Sequence, residues 1–320
     1  MNDFQNVPFP EQFVERPVTV ASAVAFTEGP AVDAAGNVYF SDILNNRIYK
    51  RTADGRLTIF REPSHRTNGH AFDPQGRLYH CEGAEFGPGG GRRITRTDLM
   101  TGQYETITDR YDGVRYNSPN DLCFDAAGRL YFTDPAYDCR GSMEMDVDGV
   151  YRIDLDDDAP PRVTRIVGQP AVQRPNGIAV TLDGRRLYLI DSCPVAGGNR
   201  KVWEFDLDAV GNPSNQRQLV DFAPGRGGDG MRLDIEGNLY VAAGVRLPKG
   251  PYETTHVPPG VYIFSPEGQL RGRIDMPEDR LTNLAFGGAD GRTLYITSGK
   301  TLFTTRVRIP GQVAYPKWRE

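Results

Sequence analysis

Residues 121–134 read DLCFDAAGRLYFTD: an apolar run, a D-x-x-G turn, and a second apolar run carrying Tyr131. Short alternating segments on either side of a glycine turn are the signature of a β-hairpin. The same paragraph recurs at 29–42 (GPAVDAAGNVYFSD), 69–82 (GHAFDPQGRLYHCE), 177–191 (GIAVTLDGRRLYLID), 230–243 (GMRLDIEGNLYVAA) and 284–298 (LAFGGADGRTLYITS). Each copy places a tyrosine in its second strand, at 39, 79, 131, 188, 240 and 295, with gaps of 40, 52, 57, 52 and 55 residues. That spacing is one propeller blade plus variable loops. Third strands follow in NRIYKRT, GVYRIDL, KVWEFDL and GVYIFSP, and fourth strands in RQLVDFA and GRIDM.

Six units of four strands predict an all-β chain, a six-bladed β-propeller with four-stranded blades around a central channel. Its blades begin near residues 28, 68, 120, 176, 229 and 283. Radial repetition lets residues 1–320 form a single domain. The segment PVTVASAVAF at 17–26 is expected to add a strand to the last blade and close the ring.

Composition narrows the function. The chain has 37 basic and 42 acidic residues, a net charge of −5 and no basic run, so a nucleic-acid or anionic-membrane partner has no electrostatic support. The four cysteines, at 81, 123, 139 and 193, have no metal-cluster or disulfide-framework spacing. The opening MNDFQNVPFPEQFVERP lacks the apolar core of a signal peptide, and no later run approaches a membrane span. The expectation is a soluble, cytoplasmic protein, monomeric or weakly homo-oligomeric.

Counting back 11 residues from four of the blade tyrosines gives Glu28, Asn68, Asn120 and Asp229. Counting back 12 from Tyr188 and Tyr295, whose turns hold an extra residue, gives Asn176 and Asn283. All are carboxylates or amides, and the start of each innermost strand faces the channel. Oxygens converging at one mouth suit a hard divalent cation, Ca²⁺ first, with Mg²⁺, Mn²⁺ or Zn²⁺ as alternatives. Glu28, Asn120, Asn176 and Asp229 are the expected ligands. Asn283 is placed between direct and supporting roles, and Asn68 reads better as a turn residue.

The motifs E-G-P at 28–30, N-S-P-N-D at 117–121, Y-F-T-D-P at 131–135, R-P-N-G at 174–177 and G-D-G-M at 228–231 together resemble the senescence marker protein/gluconolactonase/luciferin-regenerating-like family, which includes diisopropyl fluorophosphatase. The resemblance runs from about residue 20 to residue 300 and is strongest to bacterial gluconolactonase-type members. It implies a six-bladed propeller with a divalent cation at the channel mouth, and matches the family's metal residues to Glu28, Asn120, Asn176 and Asp229. One position departs: animal lactonase members carry a substrate-binding Arg two residues before the first Asn, where this chain has Ser118. Arg115 or Asn117 takes that part only in a differently shaped loop.

The resemblance implies a metal-dependent hydrolase that opens sugar lactones, the cation polarising the carbonyl and acidifying an associated water. Asp229 is the candidate base, direct attack by Asp229 being the open alternative, and Asp121 is a candidate supporting carboxylate. The loops at 136–148, 193–200 and 245–259 are expected to set specificity, with Tyr137, Met143, Arg246, Tyr252 and His256 as candidate contacts. His70 and His80 read as structural, and GPGGG at 87–91 as a turn. Two other functions fit the same ring: an organophosphate hydrolase, and a non-catalytic scaffold built on a structural calcium site.

Overall fold

The computed structural model describes residues 5–15, 18–156, 158–248, 250 and 253–315. Its strands form six four-stranded antiparallel sheets arranged as a β-propeller, with one extra hairpin pairing Arg110–Tyr111 with Val114–Arg115. The innermost strands of blades 1 to 6 are Thr27–Val32, Thr67–Phe72, Leu122–Phe124, Pro175–Val180, Gly228–Leu233 and Leu281–Gly287. Each packs against its counterparts in both neighbouring blades, so the ring closes. The outermost strand of blade 6 is Thr19–Ala23, paired antiparallel with Thr301–Arg306 so that Thr19 stands opposite Thr304.

The repeated turn has a local cause. In blade 1, Asp33 Oδ1 accepts the N–H groups of Ala35 at 2.9 Å and Asn37 at 2.8 Å, and Gly36 supplies the positive φ of 81° that the turn needs. Asp73, Asp125 and Asp234 repeat this at their own turns. The blade tyrosines are all buried, each wedged between sheets, which explains why one bulky, polar-tipped residue recurs at that position.

Pairing register corrects the ring at one place. The residues opposite the blade tyrosines are Ala31, Ala71, Cys123, Ala179, Arg232 and Ala285. Three residues before each lie Glu28, Asn68, Asn120, Asn176, Asp229 and, in blade 6, Thr282. Asn283 instead occupies the place held by Gly29, Gly69, Asp121, Gly177 and Gly230. The hairpin from Ala285 to Tyr295 is two residues longer than that from Ala31 to Tyr39, so a one-residue allowance misplaced the count. The pairing also slips next to the ring position, as between Thr67 opposite Glu82 and His70 opposite His80. Such bulges bend a strand and re-aim side chains.

Below the ring the channel holds a cavity of about 90 Å³, lined mainly by apolar inner-strand residues with His70 and Arg232. The C-terminal segment closes its far end: Gln312 N–H bonds Leu233 O at 2.8 Å and the Tyr315 ring lies 5.6 Å from Phe72. Among the described residues no helix is long and apolar enough to cross a membrane.

Candidate metal centre at the channel mouth

The ring residues are brought together by backbone contact between blades. A Cβ on Gly29 would strike the Asn68 carbonyl, one on Gly69 would lie 2.6 Å from the Asn120 carbonyl, and one on Gly177 would lie 2.5 Å from the Asp229 carbonyl. Glycine after the ring residue is therefore required for the strands to approach this closely. Where blade 3 lacks that glycine, Asp121 projects instead. It is fully buried, and its carboxylate meets the Arg232 guanidinium at 3.1 Å from across the channel.

Glu28 and Asp229 provide two carboxylates at the mouth. Burial, then the charge of Asp229, pushes the Glu28 carboxyl well above its ordinary range. Burial also raises Asp229, opposed by Arg226 and by the Asn176 amide lying against it. Arg226 Nη2 sits 2.5 Å from Asp229 Oδ2, while Nη1 bonds the Leu281 carbonyl at 3.1 Å. Asn176 donates Nδ2 to the Tyr137 hydroxyl at 3.0 Å. Asn120 is buried, and its amide makes no hydrogen bond among the described residues; its carbonyl accepts Gly69 N–H at 2.8 Å. Asn68 Oδ1 is buried without a partner, and Asn283 Oδ1 is taken by the Leu284 N–H at 2.9 Å.

This donor set fits a hard cation. Glu28 is a buried carboxylate whose proton affinity the charge of Asp229 raises further, and the neighbouring amides supply neutral oxygens, the combination calcium and magnesium favour. Among the described residues no group of three or more His, Cys, Asp and Glu is arranged to hold a metal, so a cation here depends on the asparagines. Arg226 already engages one Asp229 oxygen, as a monovalent substitute for such an ion.

The acid three residues after the blade tyrosine fastens the segment that leads into the ring. Asp42 accepts the N–H groups of Ala25 and Phe26, Asp134 those of Asn117 and Ser118, and Asp191 those of Gln173 and Arg174, at 2.7–3.2 Å. Their Y-x-x-D spacing stood in the repeat without an assigned task. Glu85 was also missed: its carboxylate accepts the N–H of Tyr137 at 3.0 Å and of Asp138 at 2.7 Å, fixing the loop that carries Tyr137.

Other expected contacts lie elsewhere. The Ser118 hydroxyl is buried and accepts Ala84 N–H at 2.8 Å, so it anchors blade 2 and is not directed at a ligand. The Asn117 amide donates to the carbonyls of Asp134 and Val147. Arg115 belongs to the extra hairpin, opposite Arg110. His256 is exposed and bonds Thr254 Oγ1 at 2.9 Å. Arg246 is exposed and clamps the carbonyls of Met276 and Pro277, and Met143 is half-buried. Tyr252 lies outside the described residues. His70 and His80 form a buried chain, Nδ1 to Nδ1 at 2.7 Å, ending on Ser41 and Thr97.

Fold and ring define a six-bladed propeller with a polar, doubly acidic centre at one mouth. The chain belongs to the SMP-30/gluconolactonase/LRE-like family, whose description matches residues 26–300. It is 33% identical to a gluconolactonase of Zymomonas mobilis over 93% of this chain and 83% of that one. It is 27% identical to diisopropyl-fluorophosphatase of Loligo vulgaris, covering 87% of each. The solved structure of a gluconolactonase from Xanthomonas campestris superposes with a TM-score of 0.73 at 28% identity, covering 91% of this chain and 89% of that one.

Proposed function

We propose that the chain hydrolyses sugar lactones at the channel mouth, with a divalent cation, Ca²⁺ first, held by Glu28, Asn120, Asn176 and Asp229. The observation that carries this reading is the pair of carboxylates at the mouth, buried Glu28 and partly buried Asp229, with the Asn176 amide lying against Asp229 and the buried Asn120 on the next blade. The gluconolactonase relative matched over nearly the whole chain supports the substrate class.

A cation bound there would offset the two negative charges and polarise the lactone carbonyl. The chain's own residues do the rest. Asp229 would hold the cation with one oxygen, in place of Arg226, which leaves the other oxygen to take the proton of the attacking water as the new C–O bond forms. The same proton passes to the ring oxygen as the acyl C–O bond breaks, giving the open hydroxy acid. Tyr137, pinned through Glu85, fixes the amide of Asn176 in one orientation.

The test is removal of divalent ions followed by lactone hydrolysis with Ca²⁺, Mg²⁺, Mn²⁺ and Zn²⁺ restored in turn. Activity that returns with a cation supports the reading, and turnover unchanged by chelation refutes it. Similarity to the fluorophosphatase supports a second reading, in which the same site attacks a phosphoryl centre. An organophosphate panel run beside the lactones separates the two.

A further inference from the structure

Five arginines are buried among the described residues. Four of them, Arg61, Arg92, Arg152 and Arg174, lie within 3.1 Å of a carboxylate, those of Glu82, Glu144, Asp154 and Asp148. Arg200 is the exception. It is only 6% exposed, and its guanidinium makes one hydrogen bond among the described residues, from Nη1 to the carbonyl of its own neighbour Asn199 at 3.1 Å. A buried cation without a counter-ion is costly to keep, and a fold that pairs its other buried arginines so regularly has left this one available.

Its position explains what it is available for. Arg200 opens the third strand of blade 4 opposite Ser192, and its side chain crosses the face of Gly227, where a Cβ would come within 3.2 Å of Cδ. Gly227 is two residues before Asp229. The groups whose fields reach Arg200 are the Cys193 thiol, then Glu253, Tyr137 and Asp191. Glu253 and Tyr137 stand on the mouth loops of blades 5 and 3. Asp191 does not neutralise the arginine directly, because its oxygens serve the N–H groups of Gln173 and Arg174, the Asn199 amide and the Trp203 ring. Tyr137 accepts the Asn176 amide, and Gly227, which the Arg200 side chain crosses, lies on the same chain segment as Asp229, so Arg200 borders the ring from blade 4.

We propose that Arg200 is the anion-recognising residue of the substrate pocket, and that the preferred substrates are sugar lactones bearing a second, negatively charged oxyacid group (phosphate, sulfonate or carboxylate) remote from the lactone carbonyl. This rests on the lactonase reading above. The guanidinium fork suits an oxyanion because it offers two parallel donors, a geometry that an ammonium group does not reproduce. Burial among loops raises the strength of such a pair by excluding competing water.

The experiment has a binding arm and a turnover arm, both on the full chain with Ca²⁺ present. Isothermal titration compares glucitol 6-phosphate with glucitol, neither of which is a lactone. The phosphate is expected to bind at least about tenfold tighter, and Arg200→Gln to remove the difference. Turnover compares δ-gluconolactone with its 6-phosphate and with glucaro-1,4-lactone, which separates phosphate from carboxylate recognition. The ratio of kcat/KM, charged over neutral, is expected to exceed about ten and to collapse in Arg200→Gln, with Arg200→Lys intermediate. Should Arg200→Gln fail to fold, Arg200→Lys decides both arms by a partial loss. Equal binding of the two polyols, or a ratio that Arg200 variants leave unchanged, overturns the proposal even where neutral lactones are hydrolysed well. Phosphate binding that depends on Arg200, with no lactone turned over, keeps the anion pocket and rejects lactones as its substrates.

Discussion

Arg226 and Asp229, three residues apart at the start of blade 5, form an ion pair of 2.5 Å at the rim of the channel, between Nη2 and Oδ2. The guanidinium occupies one oxygen of a carboxylate that a divalent cation would also use, so the two cations compete. Arg226→Ala is expected to raise Ca²⁺ affinity about tenfold, read by titration calorimetry on metal-free protein. Weaker binding in the variant would mean that Arg226 organises the site and does not compete for it.

Asp229 is assigned two tasks, oxygen donor and proton acceptor, and asparagine retains only part of the first. Asp229→Asn is expected to lower kcat for lactone hydrolysis by about 100-fold or more while leaving the circular dichroism spectrum unchanged. Turnover near that of the parent chain would remove Asp229 from the chemistry.

Tyr137 acts through Asn176, whose Nδ2 donates to its hydroxyl at 3.0 Å. Tyr137→Phe removes that hydrogen bond with little change in volume. The expected result is a loss of about tenfold in Ca²⁺ affinity at unchanged thermal midpoint. An unchanged affinity would show that Asn176 holds its orientation without help.

Asp134 carries the clearest pH signature. Burial pushes its carboxyl from 3.8 up to about 7, against the opposing pull of the Asn117 and Ser118 N–H groups and with a further push from Asp148. The folded chain thus holds this proton more tightly than the unfolded chain. Its contribution to stability is complete below the unfolded value and is lost as pH rises through about 7. Thermal midpoints of the parent chain should fall between about pH 5 and 8, and those of Asp134→Asn should fall less. Parallel profiles for the two proteins would locate the titrating group elsewhere.

The blade count was legible, and with it the placing of Glu28, Asn176 and Asp229 on inner strands and of Asn120 two residues before its own, because a repeat turns sequence spacing into spatial equivalence. The same arithmetic failed at blade 6, where two extra hairpin residues put Thr282, and not Asn283, in the ring. Turn length is a local variable that periodicity does not encode. Ser118 was legible as a departure from the family pattern, but its own task was not: its hydroxyl accepts Ala84 N–H from blade 2. Glu85 and Arg200 were invisible because their significance lies in what each one meets, or fails to meet, across loops distant in sequence, and Arg226 because no spacing rule marks a side chain that turns back on an acid three residues on. The acids at 42, 134 and 191 stood in plain view in the repeat. Only hydrogen-bond geometry gave them a purpose.

Among the described residues Thr19–Ala23 finds its only sheet partner in Thr301–Arg306, with Thr304 following Thr19 by 285 positions. During synthesis at about 5–20 residues per second, this strand waits roughly 15–60 s for its partner. Through that interval the nascent chain is an open arc with an unpaired edge at the end of the line. Ribosomal stalling or termination just before Thr301 should therefore release a sticky, open propeller, and not merely a shorter one.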